Sequence, residues 1–379
     1  MLILRRALNQ VLDFLKIERL ILVEGPPRCG LSTFATQLAR IDPKTFLLVD
    51  ARLAFGQQVL SNPGQALREL SRGGRATIVV ADNADEATAR SLQATLAAGI
   101  AGERTSFVLL GRGFEADSPG ARLALGPFAL AEVGAGARTS HWLRGGFPEA
   151  FGAANDGAAM AWLERYADSI SEERFAAAGL PWAPGRSRAL LAMIAEAQGG
   201  SLNENAAARS LGVSRPTVAR AVAALERAGL VRFLPSLPAS GRVARSAAIY
   251  LRDSGLYHSL GGLTNVEALL GSARLAASWE GYVVEQALAV LPPGAAAARR
   301  ATRDGTALEL VLSRPGKRPT AVSIRWARPG APSRSAVSAA CELEAECRWL
   351  VLPEAEEREI GAGFLVVGLP RFLERIGEA

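Results

Sequence analysis

The sequence predicts an α/β protein built in successive parts: a parallel-sheet domain around a glycine-rich strand-to-helix turn, then a winged helix, then a small α/β domain. Three observations lead there. Short, continuously apolar runs alternate with alanine-rich stretches at the start of the chain, the pattern of strands buried on both faces between helices. Ser214-Arg215-Pro216, a helix start, follows a short turn and precedes two strand-like runs. A helix around Glu280 leads four further strand-like runs.

In chain order, Leu4, Leu8, Val11, Leu12 and Leu15 fall on one face of an N-terminal helix. The first strand, Leu20 to Val23, runs into Gly25-Pro26-Pro27-Arg28-Cys29-Gly30-Leu31-Ser32-Thr33, and a helix follows from Phe34 to Ala39. That is the spacing and context of a nucleotide phosphate loop, whose backbone N–H groups and helix N-terminus face phosphate oxygens. Leu31 stands where such a loop has its lysine. Losing a charge-assisted hydrogen bond of that kind costs about 1.5–3 kcal/mol, while the backbone cradle is independent of it. Ser32 remains as a Mg²⁺-binding hydroxyl, Thr33 as a further phosphate donor and Arg28 as a partial substitute cation. The simpler alternative is an ordinary glycine turn between strand and helix.

Further strands are expected at Phe46 to Val49, Thr77 to Ala81, Phe107 to Leu110 and Leu123 to Leu125. The third run ends in Asp82-Asn83, where phosphate-loop enzymes hold Mg²⁺ with an aspartate and often polarise water with a glutamate. Asp82 fits the metal role, or else a turn or helix cap. Asn83 accepts no proton, which leaves Asp85 or Glu86 as the only nearby general bases.

Between Trp142 and Phe175 the pattern turns helical after the turn Gly145-Gly146-Phe147-Pro148, and Pro181, Pro184 and Gly185 mark a boundary. Leu202-Asn203 caps one helix through Ala208, Leu211 to Ser214 form a turn, and Ser214 caps a second. Val218, Val222 and Leu225 face inward. Arg215, Thr217, Arg220 and Arg227 face outward. Val231 to Leu234 and Ala248 to Leu251 read as wing strands, with Arg242 and Arg245 in the loop between them. From Pro184 to Leu260 there are ten arginines, no lysine and four acids, a surplus equal to the whole chain's formal charge of +6. DNA is the partner this predicts, with Arg215, Thr217 and Arg220 at the groove and Arg242 and Arg245 on the backbone. Winged helices also dock proteins, so a protein partner or self-association is the alternative.

The last part holds a helix from Trp279 to Val290 and strands at Leu308 to Leu312, Ala321 to Arg325, Trp349 to Leu352 and Phe364 to Val367. Its acidic members, Glu280 on the helix and Glu309 on the strand, are compatible with ordinary surface residues. At 379 residues, with 49% hydrophobic residues, two to three domains are expected. Three cysteines and two histidines make neither a disulfide framework nor a zinc set, which fits a reducing cytosol. No apolar run is long enough to span a bilayer, and Met1 to Arg6 lack a secretory order, so no membrane partner is expected.

The order of motifs resembles a family of prokaryotic ATP-binding proteins with an AAA-like P-loop domain, a winged helix and a C-terminal restriction-endonuclease-like domain. The resemblance rests on Gly25 to Thr33, Asp82, Gly145-Gly146-Phe147-Pro148-Glu149, the winged helix, Ile249 to Leu256 with its Asp253-Ser254-Gly255-Leu256 ending, and Trp279 to Glu285. It implies a P-loop AAA-like domain over 1–140, a helical connector over 141–183, a winged helix over 184–262 and the nuclease-like domain over 263–379. It implies ATP and Mg²⁺ as cofactors, with Ser32 and Asp82 at the metal. The departures fall on chemistry: Leu31, Asn83 and, in the nuclease-like core, Ser323-Ile324-Arg325 where Glu-x-Lys is expected beside Glu280 and Glu309. Ser323 removes a ligand charge and Arg325 cannot lose its proton. The expectation is a degenerate member with little or no hydrolysis. Its alternatives are an active ATPase with Arg28 or Arg122 supplying the charge, and a purely structural interaction protein.

Overall fold

A computed structural model of the chain describes residues 3–62, 77–99, 105–115, 117–177, 179–180, 182, 184–238, 247–302, 305–326 and 330–378. Contacts divide it into two compact units, Met1–Phe128 and Ala129–Ala379.

The first unit is a five-stranded, wholly parallel sheet of order β2-β3-β4-β1-β5, with β1 Leu20–Glu24, β2 Phe46–Asp50, β3 Thr77–Ala84, β4 Thr105–Gly111 and β5 Ala121–Ala124. Both faces are covered, as the continuous apolar runs require. Leu20 and Leu22 of β1 join one core cluster with Val79 and Phe107, while Ile21 and Val23 join another with Phe34, Val80 and Val108. Burying each such side chain contributes about 1.5–3 kcal/mol. Because β4 lies between β1 and β3, the ends of the loop strand and the acid strand are two strand spacings apart, roughly 10 Å. The N-terminal helix spans Ala7–Phe14 and buries Val11, but Leu4 lies before it and is 68% exposed. Leu125, expected in the last strand, sits just beyond β5, where its N–H bonds the Glu24 carbonyl at 2.6 Å.

In the second unit, helices from Leu130–Val133 through Asp156–Ala177 precede Pro184–Glu196, Glu204–Leu211 and Arg215–Arg227. An antiparallel pair follows, β6 Val231–Leu234 with β8 Ala248–Leu251. The Ser254–Leu260 and Leu275–Val290 helices lead to a seven-stranded mixed sheet of order β13-β14-β12-β11-β10-β9-β7. Its strands are β7 Ser236–Leu237, β9 Ala296–Thr302, β10 Gly305–Ser313, β11 Thr320–Ile324, β12 Cys347–Leu352, β13 Arg358–Glu359 and β14 Leu365–Gly368. One continuous core runs from Leu130 through Val222 and Trp279 to Ile376. Among the described residues no helix is long and apolar enough to cross a membrane.

Candidate functional sites

The loop holds its shape through backbone conformation. Arg28 has φ 67° and Gly30 φ 98°, both left-handed, and the nine-residue helix Leu31–Ala39 starts with no side-chain cap at Gly30. Such alternation turns successive N–H groups to one side, an anion-binding geometry. A Cβ on Gly25 would strike the Leu125 carbonyl oxygen, so the strand-to-loop step is closed to larger residues. Pro26, Pro27 and Cys29 are buried, whereas Arg28, Ser32 and Thr33 are exposed. Burial raises the Cys29 thiol to about 11, so it stays protonated. Leu31 is half-buried and packs against the Val11, Val23 and Phe34 cluster. In place of a cation the loop therefore has a core contact.

Sequence reasoning missed a buried cation behind this loop. Arg5 is 6% exposed, donates to the carbonyls of Cys29 at 3.1 Å and Gly126 at 2.6 Å, and lies 5.1 Å over the Phe128 ring. Only its proximity to the helix start is visible in the sequence. Arg122, by contrast, is ion-paired to Glu24 at the end of β1.

On the acid strand, Asp82 is half-buried and cross-strand from Asp50 of β2. The ladder between β3 and β4 slips between Ala81 and Ala84, and at the slip Asn83 has φ 58°. Asparagine tolerates this left-handed conformation better than glutamate does. Its N–H bonds its neighbour's Asp82 Oδ1 at 2.9 Å, and its Nδ2 donates to Asp50 Oδ2 at 3.0 Å. Asp50 is also paired with Arg52 at 3.2 Å, and the hydrogen bonds from Arg52 hold its carboxyl low. The two replacement bases are occupied. Asp85 caps the Glu86–Ala97 helix through Thr88, and Glu86 accepts from Ser118 and pairs with Arg90 at 2.5 Å. Those hydrogen bonds, from Thr88 to one carboxylate and from Ser118 to the other, lower the proton affinity of both. Among the described residues no three acids, histidines or cysteines converge on a metal position.

The helix-turn-helix segment forms as the caps predict: Asn203 accepts from the Ala206 N–H at 2.9 Å, and the Ser214 side chain from that of Thr217 at 3.3 Å. Val218, Val222 and Leu225 are buried, and Arg215, Arg220 and Arg227 are exposed. Arg215 Nε bonds Glu204 Oε2 at 2.8 Å, and the Thr217 hydroxyl bonds that of Ser214 at 2.8 Å. Arg242 and Arg245 lie outside the described residues.

In the last part, Glu280 and Glu309 are half-buried rather than ordinary surface residues. In β10, Leu308 and Leu310 face different cores although two residues apart, because the ladder to β9 shifts between Leu308 and Val311. Bulges of this kind re-aim side chains. Here Glu309 Oε2 accepts the N–H of Ile324 at 2.9 Å, and Ser323 hydrogen-bonds the same carboxylate. Glu280 Oε1 accepts from the Tyr250 hydroxyl at 2.7 Å. Burial first, then the charge of Glu309, pushes Glu280 up to about 8, and burial raises Glu309 too, against the pull of Arg325. The structure thus brings Glu280, Glu309, Ser323 and Arg325 together, with a serine and a permanent cation where a metal site needs further carboxylates. Such a donor set does not fit Mg²⁺.

Residues 137–267 match the family described as Domain of unknown function (DUF8612). Over 362 residues the chain is 31% identical to the uncharacterized protein Rv2008c of Mycobacterium tuberculosis, covering 92% of this chain and 78% of that one. Among solved structures, the Walker-type ATPase PABY2304 of Pyrococcus abyssi aligns with a TM-score of 0.43 and 15% identity over 68% of this chain and 97% of that one. The RuvB Holliday junction branch migration motor of Thermotoga maritima aligns at 0.29 and 17% over 61% and 89%. Both scores lie below one half, and neither likeness bears on the role of this chain.

Proposed function

This chain belongs to the family of the uncharacterized mycobacterial protein Rv2008c, and from that premise we propose that it is a cytoplasmic, degenerate AAA-like protein that binds ATP or ADP with little or no hydrolysis and engages DNA through a winged helix. The observation that carries the reading is the fate of the acid strand. Asp50 is held by Asn83 and Arg52, Asp85 caps a helix and Glu86 is bound by Ser118 and Arg90, so each of these described carboxylates near Asp82 is already engaged and poorly placed to take a proton from water. Meanwhile the loop keeps the backbone donors and the exposed Ser32 and Thr33 that a phosphate needs. A bound nucleotide would supply the phosphate charge that these donors receive, with Ser32 and Asp82 at its Mg²⁺. The alternative in which Arg122 replaces the lysine is disfavoured by its pairing with Glu24.

In the second unit, the arginine-bearing helix Arg215–Arg227 and the β6–β8 ribbon support DNA contact, with Arg215, Thr217 and Arg220 toward the groove. The Glu280 and Glu309 cluster supports a nuclease-like core without nuclease activity. Calorimetric titration with Mg-ADP, Mg-ATP and a nonhydrolysable analogue tests the first claim. Saturable binding of all three with no phosphate release is expected, whereas sustained Mg²⁺-dependent turnover, lost on replacing Ser32, contradicts it.

A further inference from the structure

We infer that Arg5 stands in for the missing loop lysine from behind the loop: it is a positioning residue that fixes the phosphate-facing N–H of Gly30 and supplies the positive charge from the second layer. This rests on the nucleotide-binding reading above. A guanidinium is always charged and donates in a planar fork, and here one arm holds the Cys29 carbonyl at 3.1 Å while the other holds the Gly126 carbonyl at 2.6 Å. The second arm ties the loop to the segment that leaves β5, so the loop is braced from two sides.

The consequence for a ligand follows from peptide geometry. There are no cis peptide bonds in the described chain, and in a planar trans unit the C=O and the N–H point in opposite directions. With the Cys29 carbonyl turned to Arg5, the N–H of Gly30 in the same unit is turned away from it, toward the open side of the loop. Gly30 precedes the helix start, where the left-handed backbone at Arg28 and at Gly30 aligns the loop's donors. A charge-assisted bond to one end of a peptide unit also strengthens the donor at the other end. Arg5 itself never reaches the ligand. The ligand class is a di- or triphosphate, and the position of the lysine charge has moved from Leu31 to the back of the loop.

The test is a double-mutant cycle on the full chain, titrated calorimetrically with Mg-ADP and with Mg-pyrophosphate. Arg5→Gln is expected to weaken both by about ten- to a hundred-fold. Leu31→Lys is expected to tighten binding only about two- to three-fold in the wild type and by about ten-fold or more in the Arg5→Gln background, because there it restores the charge that Arg5 had supplied. Equal gains in the two backgrounds, or an Arg5→Gln protein that binds as the wild type does, overturn the inference while leaving nucleotide binding intact. A wild type that binds neither probe overturns both readings. Should Arg5→Gln lose its cooperative circular-dichroism melt, Arg5→Lys takes its place. Lysine keeps the charge but not the two-armed fork, so a loss of no more than about ten-fold is then expected, and a folded Arg5→Lys protein with no binding refutes the charge substitution.

Discussion

Asp253 and Gly146 are bonded across 107 positions of the chain, Oδ2 of the aspartate accepting the glycine N–H at 2.8 Å. Its Oδ1 caps the Ser254–Leu260 helix through the Leu256 N–H at 2.8 Å. The fit around this joint is close: at Gly145, φ 75°, a Cβ would strike the Asp253 carboxylate, and one at Gly255 would strike the Arg144 carbonyl. Gly145-Gly146 and Asp253-Ser254-Gly255, distant in sequence, are two halves of one structural joint. Asp253→Ala removes a cap and strands a buried N–H, so a loss of about 2–4 kcal/mol is expected. Urea unfolding followed by tryptophan fluorescence isolates the effect, since all six tryptophans lie in the second unit. A loss below about 1 kcal/mol, the worth of one ordinary hydrogen bond, refutes this assignment.

Among the buried groups of the second unit, His258 and Glu280 have opposing pH dependences. His258 donates from Nδ1 to the Leu143 carbonyl at 2.9 Å and accepts from Ser278 at Nε2 at 2.6 Å, and burial lowers its pKa to about 4. Since the unfolded chain takes that proton first, near pH 6.5, the stability is whole above 6.5 and is lost as pH falls toward 4, up to roughly 3 kcal/mol. Glu280 runs the other way: its pKa of about 8 exceeds the ordinary value of 4.5, so its contribution is whole below 4.5 and is lost as pH rises to 8. Above pH 6.5, where His258 and Asp253 no longer change, the Glu280 loss is unopposed, so the melting temperature should fall from about pH 6.5 to 8. Glu280→Gln should flatten that alkaline fall; an identical fall in the variant would show that Glu280 does not titrate as described.

Local chemistry was legible in the sequence and distant chemistry was not. Asn203 and Ser214 announce their helices because a cap bonds residues three positions away. The loop strand and the acid strand show as apolar runs because both faces of the parallel sheet are buried. Strand β9, Ala-Ala-Ala-Arg-Arg-Ala-Thr, carries no such signal: its buried Arg299 and Arg300 donate to the carbonyls of Gly199 and Pro238, which only the fold brings near. The same holds for the half-buried setting of Glu280 and Glu309, which the bulge in β10 and the Tyr250 hydroxyl supply. Asn83 reads as a lost base in sequence, whereas in the structure it is a cross-strand donor to Asp50.

That second role predicts the outcome of repairing the acid strand. Asn83→Glu loses the bond to Asp50, adds a charge beside Asp50 and Asp82, and forces a less tolerant residue into a left-handed backbone, which costs about 1–2 kcal/mol by itself. Hydrogen exchange should therefore quicken at the β2 and β3 amides. The Leu31→Lys/Asn83→Glu protein should still release no phosphate from Mg-ATP above background, because the glutamate cannot keep the bulge geometry. Turnover in the double variant with unchanged exchange would mean that the bulge imposes no restraint.

Arg215 is held by Glu204 at 2.8 Å, yet the arginine is 64% exposed, and a surface pair of this kind is worth only about 0–1 kcal/mol. A phosphate can therefore draw Arg215 away from Glu204, with the carboxylate acting as a weak competitor. Glu204→Gln should tighten duplex DNA binding by about two- to five-fold at low salt, because the competing charge is gone. Arg215→Ala should weaken it and make the slope of log affinity against log salt shallower by about 0.9, the signature of one lost phosphate contact. The two substitutions thus move affinity in opposite directions if the helix meets DNA. A protein-docking face would instead leave both the affinity for DNA and its salt slope untouched, since neither residue would then lie at a phosphate.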